Sequence, residues 1–539
     1  MTATVPPRTA GQSDTLAPAR SASRNALIVG LAFIASRALG LLREVIMGYR
    51  FGTSSEYDAY VSAFRIPDLL FLVVMSGAFG AAFIPVFGGF LAKGDEERAW
   101  RLASAVITRA ALATMVLAVF VFAMAGPIIE HLVAPDLPSD VQPLAVRTMR
   151  MLLLSPILLG LGIAAKGILE AQDQFTLPAM SPVLYNAAII LAALLLAPQY
   201  GVEGVAVGVV FGAVLHVAVQ IPGLIGTGMR FEPTLDRTVD GLSEVSRLLL
   251  PRVIGLAAFQ LNFVAMTYFA SGAGEGRVSA LNYAWQMMML PHGVIALSIS
   301  TVIFPAMARL FQLGHMDEVR STFTRALMPI LFLTIPASIG LFELRVALPQ
   351  AVFQLGAFDA HSTALVAPAV AFLAVGLVWY ALVEVLTRVF YAMQDTRTPV
   401  IAGIVIIAIN ISLGAALVDS LGHTGLALAL SVSTGIEALI LFVVLRRRIG
   451  GLDDTFGSWI GRVMIAAATM AAMAELVRPK LEHATAMDSA HRLSHLVMLG
   501  YVVVMLAATY FLSALFLKIP EAERGLLLLK RHVSIVRRD

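Results

Sequence analysis

Six ionisable side chains stand where a hydrophobic chain has least room for them. Residues 35–52, ASRALGLLREVIMGYRFG, place Arg37, Arg43 and Glu44 in a stretch from Ala26 that is otherwise apolar, and Asp58, Arg65 and Asp68 follow closely. A charge at mid-bilayer costs about 2.5–3.5 kcal/mol on the lenient insertion scale, so these groups must face protein or water. On a helix, residues three, four and seven apart share a face. Ser36, Arg37, Gly40, Arg43, Glu44 and Gly48 then form one stripe, and Asp58, Ser62, Arg65 and Asp68 another, in which Arg65 and Asp68 are placed to pair. Lys166 and Glu170 lie four apart farther on, and Arg252 stands early in a later segment. Several cations in a low-dielectric setting suit an anionic group such as a diphosphate, which is binding chemistry rather than catalysis.

Each charge also has a structural explanation. Intramembrane charges often pair to fix helix packing, which suits the i,i+4 pair Glu384 and Arg388 best. It suits the first stripe least, because two arginines face one glutamate there. Lys166 near a helix end can snorkel to the interface. His292 has no second histidine or carboxylate at metal-ligand spacing, MMML at 287–290 reads as core, and GTG at 226–228 lacks phosphate-loop spacing.

The elements that must position these residues are membrane spans. Of 539 residues 58% are hydrophobic and 14% charged, with a mean hydropathy of +0.84, and apolar runs of about twenty residues follow one another along the chain. The net charge of +3 comes from basic residues at segment ends, which sets orientation and excludes nucleic acid as a partner. The chain has no cysteine, so disulfides, thiolate metal sites and cysteine nucleophiles are excluded.

The expected fold is all-α and integral to the membrane, with about fourteen helices centred near residues 36, 75, 115, 157, 188, 212, 260, 292, 333, 377, 408, 434, 467 and 505. Lys93, Arg98 and Arg101, then Arg230 and Arg237, Arg320, Arg446 to Arg448, and Lys530, Arg531, Arg537 and Arg538 fall on one side, the cytoplasmic one. Both termini then lie inside. RPKLEH at 478–483 is the exception to the charge pattern.

The sequence also repeats. FIPVF at 83–87 returns as IFPAM at 303–307, AQDQFTLP at 171–178 as AMQDTRTP at 392–399, and YGVEGVAVG at 200–208 as LGHTGLALA at 421–429, at one offset near 220. The expected organisation is a polar, disordered cytoplasmic tail at 1–24, a lobe of six helices at 25–226, a cytoplasmic linker at 227–245, a second lobe of six at 246–447, and two further helices with a cytoplasmic tail at 448–539. An offset spanning an even number of helices makes the two lobes parallel repeats, with a central site between them.

SRALGLLRE followed by FG, YDAY, FRIPDLL and GAFGAAFIP resembles the N-terminal signature of the MurJ (MviN) lipid II flippases, within the multidrug/oligosaccharidyl-lipid/polysaccharide exporter superfamily. YAMQDTRTPV at 391–400 and LGHTGLALA are similar to that family's second lobe. The resemblance implies a two-lobed protein of the bacterial cytoplasmic membrane that moves an undecaprenyl-diphosphate-linked peptidoglycan precursor outward by alternating access. It implies that Arg37 and Arg43 line the cargo cavity beside Glu44, and that Asp58 is an important acid of the second helix. The chain departs from the family pattern at Phe71, where arginine is common, at Trp285 and Gln286, where YADR is expected, and at Met289, where an acid is expected. Lys166, Arg65 and Arg252 are the cations left to compensate. Some members hold sodium in the second lobe, and Asn410 and Thr434 are the residues of suitable type here. No organic cofactor is expected; a coupling cation, Na+ or H+, or the membrane potential supplies the drive, and cell-wall synthesis enzymes are the implied partners.

Two other functions compete. One is export of another polyprenyl-linked oligosaccharide or an amphipathic small molecule, which the missing charges favour. The other is a non-transporting scaffold or a glycan transferase, and a transferase needs acids or histidines in a sizeable extramembrane loop, which this chain does not offer.

Overall fold

Long apolar runs cut by glycine, proline and charge become helices, and the computed structural model contains no strand among the described residues. These are 16–76, 83–453, 455–485 and 492–536, less the side chains of 16–27, 74–76, 248, 250–252, 254, 297, 301–302, 480–485, 492–493, 528–529 and 531–536. The GAFGAA part of the N-terminal signature and most of the tail expected at 1–24 lie outside them, and the first helix begins at Leu16.

Eleven of the described helices are long and apolar enough to cross a membrane. The spans expected near 36, 75 and 260 are not among the eleven. Polar groups and breaks explain this in part. Leu16–Phe51 carries the arginine stripe, the next segment is divided into Ser55–Leu70, a π-helical Phe71–Ser76 and Ile84–Ala92, and Leu242–Gly272 buries Gln260, Asn262 and Thr267.

The backbone itself is periodic. Leu16–Phe51 is answered by Leu242–Gly272, Ser55–Leu70 by Arg277–His292, Glu96–Ala123 by Met316–Glu343, and Thr176–Leu195 by Arg397–Leu421. Even the wide π-helical turn recurs, at Phe71–Ser76 and Gly293–Leu297, each just beyond a proline, Pro67 or Pro291, that withholds a backbone donor. Left-handed residues recur too. Gly94 and Gly314 have φ of 73° and 74°, Asp173 and Gln394 60° and 59°, and Gly201 and Gly422 54° and 59°, at the offset of the sequence motifs. At Gly201 and Gly422 ψ is −141° and −146°, a region that a side chain makes costly, so glycine is required at both.

The AMQDTRTP motif is a helix start. Asp395 Oδ1 accepts from the amides of Arg397 and Thr398, both at 3.0 Å, and its Oδ2 accepts from Thr398 Oγ1 at 2.5 Å and Arg448 Nη1 at 2.7 Å. Burial alone raises this carboxyl's pKa, but the bonds from Thr398 and Arg448 outweigh it and hold the value at about 2.

The chain forms two compact units. The first comprises residues up to Glu44, Leu70–Phe120 and Met151–Val253, and its core includes Phe83, Phe87, Trp100 and Leu102. The second comprises Val45–Leu69, Val121–Arg150 and Ile254–Asp539, with Phe323, Phe390 and Trp459 in its core.

Candidate functional site

In the first unit the arginine stripe is anchored at one end. An arginine and the residue after it point apart on a helix, yet the Arg43 side chain is long enough to turn back. Its Nε and Nη2 donate to Glu44 Oε1 at 3.2 and 2.7 Å, and its Nη1 donates to Asn186 Oδ1 at 3.1 Å. Asn186 is fixed in turn by donating to the Pro182 carbonyl at 3.0 Å. Glu44 is 7% exposed, so this is a largely buried ion pair. Arg37, nearly two turns earlier, is exposed, with its guanidinium carbon 5.3 Å from the centroid of Phe33. Lys166 Nζ lies 3.7 Å from Glu170 Oε1 and its side chain is half exposed. Arg252 lies on Leu242–Gly272, but its side chain is outside the described residues.

The second unit holds Asp58 in a different role from a cavity wall. Its side chain is 1% exposed. Oδ2 accepts from the Gly276 amide at 2.6 Å, and Oδ1 accepts from the Ser279 amide and hydroxyl, both at 2.7 Å. Gly276, at φ 76°, is the N-cap of Arg277–His292, so Asp58 caps a helix some 220 residues away and sits at the positive end of its dipole. The reverse bond also exists: the Ser55 amide, at the start of the Asp58 helix, donates to Glu275 Oε1 at 3.2 Å. Two repeat-related helix starts thus cap each other. Beside this tie Tyr57 and Tyr283 pack at 5.3 Å between ring centroids, and Tyr283 also meets Phe353 and Phe358.

Arg65 and Asp68 do not pair as the spacing suggested. Arg65 Nε donates to Thr267 Oγ1 at 2.8 Å, and Asp68 Oδ2 accepts from Gln260 Nε2 at 3.0 Å. Both partners lie on Leu242–Gly272, and that helix supplies neutral groups at the level where an ion pair was expected. The pair Glu384 and Arg388 does form, at 2.7 Å.

Asn410 and Thr434 are engaged by protein. Asn410 Nδ2 donates to Asn262 Oδ1 at 2.7 Å and Asn410 Oδ1 accepts from Ser433 Oγ at 3.2 Å, while Thr434 Oγ1 donates to the Leu430 carbonyl at 2.7 Å. This donor set is neutral and self-satisfied, and among the described residues no three acids or histidines gather at metal distance. The set offers only neutral oxygens, each already bonded within the protein.

Sequence reasoning missed Glu275, Ser279, Gln260, Thr267, Asn186 and Asn262. The signal for the first two was present: residues separated by the repeat offset meet at a shared axis, and 55 with 275 and 58 with 279 have that separation.

A helical, multi-pass membrane protein whose helices repeat along the chain has an organisation shared by many transporters. The sequence profile of the family described as lipid II flippase MurJ matches residues 47–486, and the chain belongs to that family. The lipid II flippase MurJ of Burkholderia cenocepacia is 32% identical over 490 residues, covering 88% of this chain and 93% of that protein. Among solved structures, a lipid II flippase MurJ in an inward closed conformation superposes with a TM-score of 0.74 at 23% identity, covering 91% of this chain and all of the other. An inward-facing MATE family multidrug transporter of the MOP superfamily gives 0.64 at 17% identity, over 77% of this chain and 94% of the other. These two likenesses concern the fold.

Proposed function

We propose that this chain moves lipid II, the undecaprenyl-diphosphate-linked peptidoglycan precursor, from the inner to the outer leaflet of the bacterial cytoplasmic membrane by alternating access. The near full-length match to the lipid II flippase family carries the cargo assignment. The reciprocal capping of Ser55–Leu70 and Arg277–His292 supports the mechanism. A tie made of hydrogen bonds to helix ends can be exchanged for bonds to water at small net cost, whereas an apolar seam resists wetting. A tie of this kind can be broken and remade, which alternating access requires. Arg43 and Arg37 supply positive charge for the diphosphate, and the membrane potential or a coupling cation supplies the drive.

The test is replacement of an essential flippase in a bacterial host by this chain, with precursor on the outer face measured directly. Growth together with outward precursor at the host's normal level is expected. Growth arrest with a correctly inserted chain overturns the reading.

Orientation follows from the basic loops, with both termini inside. Single cysteines at 313 and 421, in a chain that has none, are expected to react with an impermeant reagent only at 421 in intact cells. Labelling confined to 313 reverses the assignment.

A second cargo, another polyprenyl-linked oligosaccharide, is favoured by Phe71, Trp285, Gln286 and Met289, which stand where the family pattern carries charge. Host replacement separates the two, since a different glycan specificity leaves the host without precursor.

A further inference from the structure

Within the second unit a cleft opens between Leu242–Gly272 and Arg277–His292, lined in part by Arg65, Phe263, Thr267, Asn282 and Trp285. Its empty volume is about 410 Å³, counting the open mouth. Arg65 is positioned by its Nε bond to Thr267 and by Phe263, whose ring centroid lies 5.6 Å from the guanidinium carbon. Both of its Nη groups stay without a described hydrogen bond, and so does the Asn282 amide. Trp285 is locked by T-shaped contacts with Phe263 and Tyr380, at 5.0 and 5.4 Å between centroids. A rigid indole, a neutral amide and a guanidinium fork therefore converge on one cleft with polar valences to spare.

We propose that this cleft is a saccharide subsite that takes one sugar ring bearing an anionic substituent. The apolar face of the ring lies on the Trp285 indole, a hydroxyl bonds Asn282, and the anion takes the two Nη groups of Arg65. The inference rests on the reading of the cargo as a polyprenyl-diphosphate-linked glycan. An acid at position 285 would repel the anionic substituent, and tryptophan removes that repulsion while adding a stacking surface. Packing alone explains an aromatic here less well, because well-packed interiors leave no open cleft beside spare polar groups.

Purified full-length protein is titrated with glucose 1-phosphate, inorganic phosphate and methyl glucoside, reading the tryptophan emission that is lost on Trp285→Phe. Glucose 1-phosphate is expected to bind at least tenfold tighter than either simpler probe, and Arg65→Gln is expected to reduce it to the level of methyl glucoside. Equal binding of phosphate, no binding of any probe, or a signal that survives Trp285→Phe overturns the subsite. In proteoliposomes, Trp285→Ala is expected to slow a glycan-bearing polyprenyl diphosphate at least tenfold and the sugar-free lipid less than twofold. Equal slowing of both also overturns it. If the parental chain moves neither lipid, the transport reading fails, and the binding titration still decides the subsite.

Discussion

Asp58→Asn is expected to reduce transport at least tenfold while most of the protein still folds. The substitution keeps the shape and removes one acceptor. Asp58 uses both oxygens, Oδ2 for the Gly276 amide and Oδ1 for the Ser279 amide and hydroxyl. An asparagine amide must turn its NH₂ toward one of these donors, leaving a buried N–H unsatisfied at a cost of about 1–3 kcal/mol, and the bonds that remain lose their charge assistance. At about 1.4 kcal/mol per factor of ten, that shifts the equilibrium between the tied and untied arrangements by roughly 5- to 150-fold. Ser279→Ala removes a single donor and leaves both amides on the carboxylate, so a loss below threefold is expected. A rival account has Asp58 touching the cargo. A carboxylate that is 1% exposed and already accepts three bonds is poorly suited to an anionic headgroup. Glu275→Gln separates the accounts: it weakens the return cap on Ser55 and is expected to lower transport modestly, whereas a cargo contact at Asp58 predicts no effect. Parental transport by Asp58→Asn overturns the tie.

The sequence carried the architecture because the architecture is written twice. Three motif pairs at one offset announced a repeat, and the left-handed backbone at Asp173 and Gln394 and at Gly201 and Gly422 lies inside two of those pairs. Polar contacts between helices were legible only when local. Glu384 with Arg388, one turn apart on one helix, met as expected. Arg65 with Asp68 had equally good spacing, yet each turned to Leu242–Gly272, because spacing fixes which residues share a face and not what the neighbouring helix offers that face. Asn186 as the partner of Arg43 had no signal at all, since a single asparagine in an apolar helix looks the same whether it packs, caps or binds.

Arg43→Ala is expected to lower both the folded yield and transport, and the larger effect lies in separating the two. The variant strips the described ion pair from Glu44, which is 7% exposed, and breaking a buried pair from one side costs roughly 3–5 kcal/mol. That is a large share of the stability of a typical domain. The double variant Arg43→Ala with Glu44→Ala removes the buried carboxylate together with its guanidinium, so yield measured by monodisperse protein in detergent is expected to return close to the parental level. Transport is the discriminating readout. If Arg43 serves the cargo, the double variant folds but stays at least tenfold slower, because no other described group presents a guanidinium at that place on the stripe. Arg43→Lys is expected to fold well and to transport partially: an ammonium keeps the charge, but cannot serve Glu44 from Nε and Nη2 while reaching Asn186 from Nη1 as the fork does. Asn186→Ala tests the anchor from its other side, with an expected loss of transport of a few fold at parental yield, since the ion pair survives. Full transport by the double variant would mean that Arg43 exists to neutralise Glu44, and the cargo contact would then have to be sought at Arg37 or Arg65.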